Sequence, residues 1–461
     1  MSRKTSKVMH RTLHPNLATA TAGDGVFLID KQGNRYLDAC GGAAVSCLGY
    51  SNKRVKQAII NQVSNLAYAH SSFFTNDPQE QLAADLIEHS QGDFSQVYFV
   101  SGGSEAIETA LKLARQYFWE QGKESKKYYI ARKQSYHGNT LGALAIGGNL
   151  WRRKPFDPIL VAGHHISAPY EYREKQENES SFEYGQRIAN ELEEKILELG
   201  SENVAAFVAE TVVGATAGAL TAPQGYYKRI REICDQYDVL LILDEVMCGM
   251  GRTGTLHACE DEGVQGDLQT MAKGLAGGYQ ALGAVLVGRK IVDTIENGSS
   301  FFQHGHTYIG HATGCVAGLA VQQEIREHDL LSNIKKQGIN LTDALKNRFE
   351  QSPDLQQYIG EIRGRGLFIG IELVKNIETK EPFDPKLKLH TVIKKQAMEN
   401  LLMIYPMGGT IDGVNGDHIL LAPPFIIDEG HVAEITERLS KSIQSSIGLI
   451  QKKCKKRGGW L

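Results

Sequence analysis

The chain has 461 residues, 42% of them apolar and 22% charged, enough to bury a substantial core without disulfide staples. Its formal net charge of −3 argues against nucleic acid as the main partner and points to a small molecule. Seven scattered cysteines with no Cys-x-x-Cys pair write neither a zinc site nor a disulfide framework, so no metal is expected and a reducing, cytoplasmic setting fits.

Residues 1–15 are basic yet lack the apolar core of a secretion signal, and no later stretch approaches the ~20 apolar residues that span a bilayer, so no membrane partner is expected. The segment "GVFLIDKQGNRYLDACGG" predicts a hairpin around Gly33 and Asn34. From about residue 95 to 288, short runs such as "QVYFV", "YYIAR", "AAFVAE", "VLLILDEV", "LQTMAKG" and "LGAVLVG" alternate with helical patterns such as "SEAIETALKLARQYFW" and "GYYKRIREICDQY". That alternation predicts an α/β fold with a mostly parallel sheet. Residues 171–199 are acidic with a helical period and read as a solvated face rather than a site. Beyond about residue 311, long helical patterns lead into "IRGRGLFIGIELV", a further helix and strand-like runs near Ile404 and Leu420, the pattern of a smaller α+β unit. The opening hairpin is assigned to that unit too. The expected division is a large ligand-binding α/β domain over 65–315 and a small domain built from 1–64 and 316–461. The basic "KKCKKR" near the C-terminus reads as a solvated helix end.

In open α/β sheets, ligands bind beyond the carboxyl ends of the strands, and four such ends stand out. "YFVSGGSEAIETALK" sets Gly102, Gly103 and Ser104 between a strand and a helix, which suits either a phosphate cradle of free helix amides or a tight turn with a serine N-cap. "SYHG" offers the aromatic Tyr136 beside His137, a pair that taken alone serves packing as readily as function. "LLILDEV" runs a buried strand into Asp244 and Glu245, two carboxylates that need partners. "LQTMAKGLAGG" places Lys273 after a strand and before glycines; desolvated, it is a nucleophile toward carbonyls, and otherwise it pairs with Asp244 or Glu245. One organic cofactor uses all four features. Pyridoxal 5′-phosphate has a phosphate for the glycine turn, a ring for an aromatic to stack on, a pyridinium nitrogen for an aspartate and an aldehyde for a lysine.

These motifs resemble those of the class III (ω-amino acid type) aminotransferases. The similarity runs from "GNRYLDACGGAAVSCLGY" through "SGGSEAIETALKLAR", "SYHGNT", "LILDEVMCGMGRTG", "MAKGLAGGYQALGAVLVG" and "GHTYIGHATGCVAGLAV" to "GDHILLAPPF", nearly the whole chain. It implies the aspartate-aminotransferase-like fold (fold type I) with pyridoxal 5′-phosphate as cofactor. It further implies Lys273 as the Schiff-base lysine and proton shuttle, with Asp244 on the ring nitrogen. Gly103 and Ser104 would hold the phosphate, Tyr136 would stack on the ring beside His137, Val246 would pack on the opposite face, and Glu210 would line the pocket. Thr307 would reach the phosphate of a neighbouring subunit, which makes the expected enzyme a homodimer or a multiple of one. The implied reaction moves an amino group from an amine or ω-amino acid to pyruvate or 2-oxoglutarate. An aminomutase or decarboxylase on the same fold is the alternative.

A more distant alternative is a nicotinamide dehydrogenase, suggested by "GMGRTG"; that fingerprint should join a strand directly to a helix, and here an acidic pair intervenes. Three departures from the resembled pattern stand out. Thr211 replaces a proline after Glu210, and Gly49, Tyr50, Ser51 and Asn52 stand where a Gly-His-x-His-Pro run is common, both changes being expected near the pocket. No arginine lies between Arg365 and Arg438, although many similar chains place one shortly before "GDH" to bind substrate carboxylates. Tyr405, Asn415 and His418 occupy that region instead, leaving Arg152 and Arg153 as the cationic candidates, with surface charge as their other reading.

Overall fold

A computed structural model describes residues 6–13 and 17–456, with the side chains of 454–456 left out. In the tail "KKCKKR", residues 452–456 end the helix Glu429–Lys456 with Lys452 and Lys453 exposed, which agrees with a helix end, and Arg457 lies outside the described residues. The chain opens with three antiparallel strands, β1 (Ala20–Asp24), β2 (Phe27–Asp30) and β3 (Arg35–Asp38). The expected hairpin is β2–β3, with Phe27 opposite Leu37. Its turn is set by Gly33 at φ +82° and by Asp30, whose Oδ1 accepts the amides of Gln32 and Asn34, both at 2.9 Å.

Seven strands form the central sheet: β4 (Phe94–Val100), β5 (Tyr128–Arg132), β6 (His164–Ile166), β7 (Val204–Glu210), β8 (Leu240–Asp244), β9 (Leu268–Met271) and β10 (Gly283–Gly288), in the order β4-β10-β9-β8-β7-β5-β6. The sheet is parallel except at β10, which runs antiparallel to both neighbours. A parallel return needs a crossover of a dozen or more residues. The segment between β9 and β10 is shorter and folds as a single 3₁₀ turn, Lys273–Leu275, so the chain comes back the other way.

Both β7 and β8 are buried at every position because helices cover both faces. Ala206, Val208, Leu240 and Ile242 meet the helix Gly103–Glu120 on one side. Phe207, Leu241 and Leu243 meet the helices Ser181–Leu199 and Tyr226–Gln236 on the other. The acidic 171–199 stretch is thus two helices, Glu171–Glu174 and Ser181–Leu199, split before a Ser180–Glu183 capping box. Only one face is solvated; Tyr184, Ile188, Leu192 and Ile196 are buried.

A further sheet carries β11 (Ile359–Arg365), β12 (Phe368–Leu373), β14 (Tyr405–Gly408) and β15 (Asp417–Leu421), while β13 (Leu402–Met403) pairs with β3. The run "IRGRGLFIGIELV" is a hairpin, turned at Gly364 (φ +122°) and Gly366 (φ +54°). A β-carbon on Gly366 would lie 2.5 Å from the Thr253 carbonyl carbon, which is why a glycine stands there.

The loop after β7 is tied to this sheet through a buried charge network. Arg363 donates through Nε to the Gly218 carbonyl at 2.9 Å and through Nη1 to Glu372 at 2.6 Å. Arg173 Nε reaches the same carboxylate at 2.7 Å, and the Tyr170 hydroxyl also donates to it. Burial alone would raise the Glu372 carboxyl, but the two guanidinium groups more than offset this and hold it lowered. Replacing Glu372 with alanine strands two buried cations and is expected to destabilise the fold by ~3–5 kcal/mol, read as a lower urea midpoint. Because the folded value is depressed, the Glu372 contribution is complete above the ordinary glutamate value of about 4.3 and is lost as pH falls through the folded one.

Candidate active site

Beyond the carboxyl edge of the central sheet lies a cavity of about 270 Å³. Strands β4, β5, β7, β8 and β9 end toward it, and the antiparallel β10 begins there, which adds Gln280, Ala281 and Leu282 to its wall. Gly103, Ser104, Tyr136, His137, Glu210, Asp244, Val246 and Lys273 all line it. Thr307 does not; it is exposed in a loop whose backbone accepts the Tyr68 hydroxyl at 2.9 Å. Val45, Ser101 and Met247 also line the cavity, and no spacing in the sequence marks them.

Asp244 ends β8 and is buried. Its Oδ2 accepts from His137 Nδ1 at 2.8 Å, and its Oδ1 accepts the Val246 amide at 3.0 Å and the Thr270 hydroxyl at 3.4 Å. An ionised carboxylate accepts only, so the His137 proton sits on Nδ1; Nε2 is buried and has no partner. Glu245 needs no external cation. It accepts from the Thr211 hydroxyl at 2.9 Å and from the Ala258 and Cys259 amides at 2.8 and 2.7 Å. Burial pushes its carboxyl up, but His257 and those amides outweigh burial and leave it lowered. Thr211 is thus the partner of a structural carboxylate and does not line the cavity.

Lys273 follows β9 with φ +46°, a left-handed conformation that a non-glycine residue adopts only when its surroundings impose it. Among the described residues no carboxylate lies within 4.0 Å of its Nζ, so the alternative reading, an ion pair with Asp244 or Glu245, is not found. Burial lowers the basicity of the amine, and the charges of Asp244 and Glu210 offset part of that. Burial likewise raises the Glu210 carboxyl, against His137 and with Asp244 adding to the rise. Glu210 accepts the Tyr136 amide and the Gly214 amide, each at 2.9 Å, and so fixes the backbone that presents the Tyr136 ring.

The helix Gly103–Glu120 starts at the cavity with Gly102 as its N-cap and no capping side chain, leaving first-turn amides open. Ser104 sits inside that first turn, not at the cap, and its Oγ accepts the Asn139 amide at 3.0 Å. Gly103 is required by a close approach, since a β-carbon there would stand 2.6 Å from Val246 Cγ1. The wall therefore offers an anion cradle, a buried carboxylate, an aromatic face and an amine of lowered basicity. This donor set fits pyridoxal 5′-phosphate.

Other expectations change. "GMGRTG" joins no strand to a helix; its Arg252 is buried and donates to the Leu367 and Pro423 carbonyls at 3.1 and 2.5 Å, which removes the dinucleotide reading. Tyr50 donates to Asp38 at 2.5 Å, Ser51 accepts the Gly25 amide, and Asn52 caps the helix Lys53–Asn65, so that departure serves packing rather than the pocket. His418 is buried against Gly218 and pushed down to about 3 by burial, so it brings no charge. Asn415 is bound to Asp412 in an exposed turn.

Residues 8–443 match the family model described as aminotransferase class-III. The chain is 43% identical over 450 residues to an uncharacterized aminotransferase of Schizosaccharomyces pombe, covering 97% of each. It is 34% identical to the diaminobutyrate–2-oxoglutarate transaminase of Halomonas elongata, over 92% of this chain and 89% of that one. An amine transaminase from an uncultivated Pseudomonas species, solved in its PLP-bound form, superposes with a TM-score of 0.89 at 32% identity, covering 97% of this chain and 99% of that one.

Replacing Gly103 with alanine must displace Val246 or the helix start. The overlap is worth ~1–3 kcal/mol, so pyridoxal 5′-phosphate is expected to be held ~10- to 100-fold less tightly in dialysis followed by absorbance, with unchanged circular dichroism.

Proposed function

The chain belongs to the class-III aminotransferase family, and on that premise we propose how its own residues run the transfer of an amino group from an amine or ω-amino acid to pyruvate or 2-oxoglutarate. The observation that carries the proposal is the opening of Lys273 and Asp244 onto one cavity whose floor is the uncapped start of the Gly103–Glu120 helix. Bound there, pyridoxal 5′-phosphate supplies an aldehyde that condenses with amines and a ring that takes up the electron pair left by a departing proton. Gly103 and Ser104 would hold its phosphate through first-turn amides and the serine hydroxyl. Tyr136 and Val246 would bracket its ring. Asp244, held by His137 and the Val246 amide, keeps a negative charge where a protonated ring nitrogen requires one. The Lys273 amine, made less basic by burial, would hold the cofactor through its aldehyde and would be the base that takes and returns the proton of the donor carbon. Glu210 acts one step back by fixing the Tyr136 backbone.

The Halomonas relative is named for a diamino acid donor and 2-oxoglutarate, and the Pseudomonas structure for amines. Both names favour amine transfer over an aminomutase or decarboxylase outcome. The parallel pairing of β3 with β13 supports a small unit built from 1–64 and 316–461 beside a large one over 65–315. Cytoplasmic work is supported by six free, buried cysteines among the described residues and by the absence there of any helix long and apolar enough to cross a membrane.

A panel of donors with pyruvate and 2-oxoglutarate, followed at the cofactor absorbance, tests the reaction. Donors whose amine sits on an uncharged or terminal carbon should outperform glutamate by at least ~10-fold, and the Lys273→Ala enzyme should lose at least ~10³-fold in kcat while remaining folded. Glutamate as the best donor, or near-normal turnover without the lysine, contradicts the proposal.

The chain is also proposed to work as a homodimer in which Thr307 completes the cavity of the neighbouring copy. Support comes from its place outside this chain's own cavity, in a loop with exposed Phe301 and Tyr308, the latter ring 5.7 Å from that of exposed Tyr68. Sedimentation velocity should show a species of twice the chain mass, and a monomer at micromolar concentration would refute the assignment.

A further inference from the structure

We infer that Arg152 receives the carboxylate of the keto-acid acceptor. The inference rests on the transamination reading, because any keto acid brings an anion into a cavity that already holds Asp244 and Glu210. Burying that anion without a cation is costly, and among the described residues the one lysine or arginine lining the cavity, Lys273, is committed to the cofactor. The counter-charge must come from the rim.

The neighbouring arginines are nearly all spent. Arg132 is buried and donates to the Glu210 carbonyl and the Tyr227 hydroxyl. Arg153, the other candidate from the sequence, donates to the Ala145 and Gly147 carbonyls at 2.7 and 3.0 Å and lies 3.4 Å from Asp157. It is tied through Nε and Nη1 to the turn between two helices. Arg363 is bound to Glu372 and Glu361.

Arg152 differs from all of them. Its guanidinium carbon stands 4.5 Å from the centroid of the Tyr136 ring, a ring that itself lines the cavity, and 5.7 Å from that of Trp151. Its Nε is shut away from solvent with no acceptor, and among the described residues its side chain makes neither a hydrogen bond nor an ion pair. A half-buried guanidinium set over an aromatic ring, with its fork unengaged, is placed for a planar, bidentate anion. A carboxylate matches that fork in geometry and charge.

The local architecture holds the group there. Arg152 belongs to the short helix Leu150–Arg153, whose N-cap Asn149 accepts the Arg152 amide at 3.2 Å. Asn149 also donates to Gln134 at 3.1 Å, and Gln134 in turn donates to the Gly409 and Thr410 carbonyls at 2.5 and 3.1 Å. This chain of bonds docks the helix against the 409–416 turn, the stretch before "GDH" that has no arginine of its own. The cation thus stands on the opposite side of the same seam. Arg11 also acts electrostatically on Tyr136 and is the rival for the role.

The test uses the full-length, cofactor-loaded enzyme and two acceptors with one amine donor: pyruvate, which has a carboxylate, and butanal, which has none. Arg152→Met keeps an apolar stem over Tyr136 and removes the charge. The ratio of kcat/KM for pyruvate to that for butanal is expected to fall ~10- to 100-fold, mainly through KM, and to recover in part in Arg152→Lys. Calorimetric titration of pyruvate into the aldehyde form of the enzyme, without donor, should lose affinity by the same factor. An unchanged ratio overturns the inference, as does an equal loss on both acceptors, which would make Arg152 a support for Tyr136. Loss of the ratio in Arg11→Ala but not in Arg152→Met overturns it as well. If the parent enzyme turns over butanal in these assays, the transamination reading stands whatever becomes of Arg152; if it turns over neither acceptor, both readings fall.

Discussion

Asp244 is a charge at the end of a strand buried at every position, and a carboxylate in such a place persists only if donors are built around it. The surrounding structure supplies them. The turn after β8 bends so that the Val246 amide points back at Oδ1, and the segment after β5 delivers His137 to Oδ2. Thr270 of the neighbouring β9 adds a third, longer contact. The residues immediately flanking these donors are Tyr136 and Lys273's own strand, so satisfying one carboxylate sets the register of three strand ends and, with it, the walls of the cavity.

The order of the sheet makes that economy possible. With β7, β8 and β9 adjacent and parallel, Glu210, Asp244 and Thr270 fall side by side across the sheet, as the pairings of Glu210 with Asp244 and Asp244 with Thr270 show. Two carboxylates next to each other should repel, and the structure separates their duties by what each accepts. Glu210 takes one amide of its own loop and one from the segment after β5, while Asp244 takes an imidazole. The field of the pair still falls on Lys273, where it limits how far burial can strip the amine of its proton.

Much of this is legible in the sequence itself. Runs of apolar residues ending in Asp244, Glu210 and Lys273 announce buried strands that terminate in chemistry, because only the end of a buried strand can present a charge to a ligand. The glycines before Ser104 announce a backbone approached closely. What escaped the sequence depends on contacts between distant segments. The reversal of β10 follows from a crossover too short for a helix, and the burial of Glu245 on Thr211 follows from loops that meet only in three dimensions. The split of 359–373 into two strands is marked by Gly364 and Gly366 within the apolar run. Arg152 and Arg153 are adjacent and chemically alike, and no pattern could tell which one is tied to carbonyls.

The reversed strand has a kinetic consequence. Lys273 lies on a segment anchored at both ends in the same sheet, by β9 on one side and β10 on the other, with its backbone locked in a left-handed turn. Such a segment cannot swing away as a mobile loop does. The amine therefore samples a small volume near the carboxyl edge of the sheet, and its concentration as seen by a carbonyl held there is set by tether geometry rather than by diffusion. Intramolecular groups confined in this way reach effective molarities of about 10⁵–10⁸ M, so part of the barrier is lowered at the time of folding, before any substrate arrives.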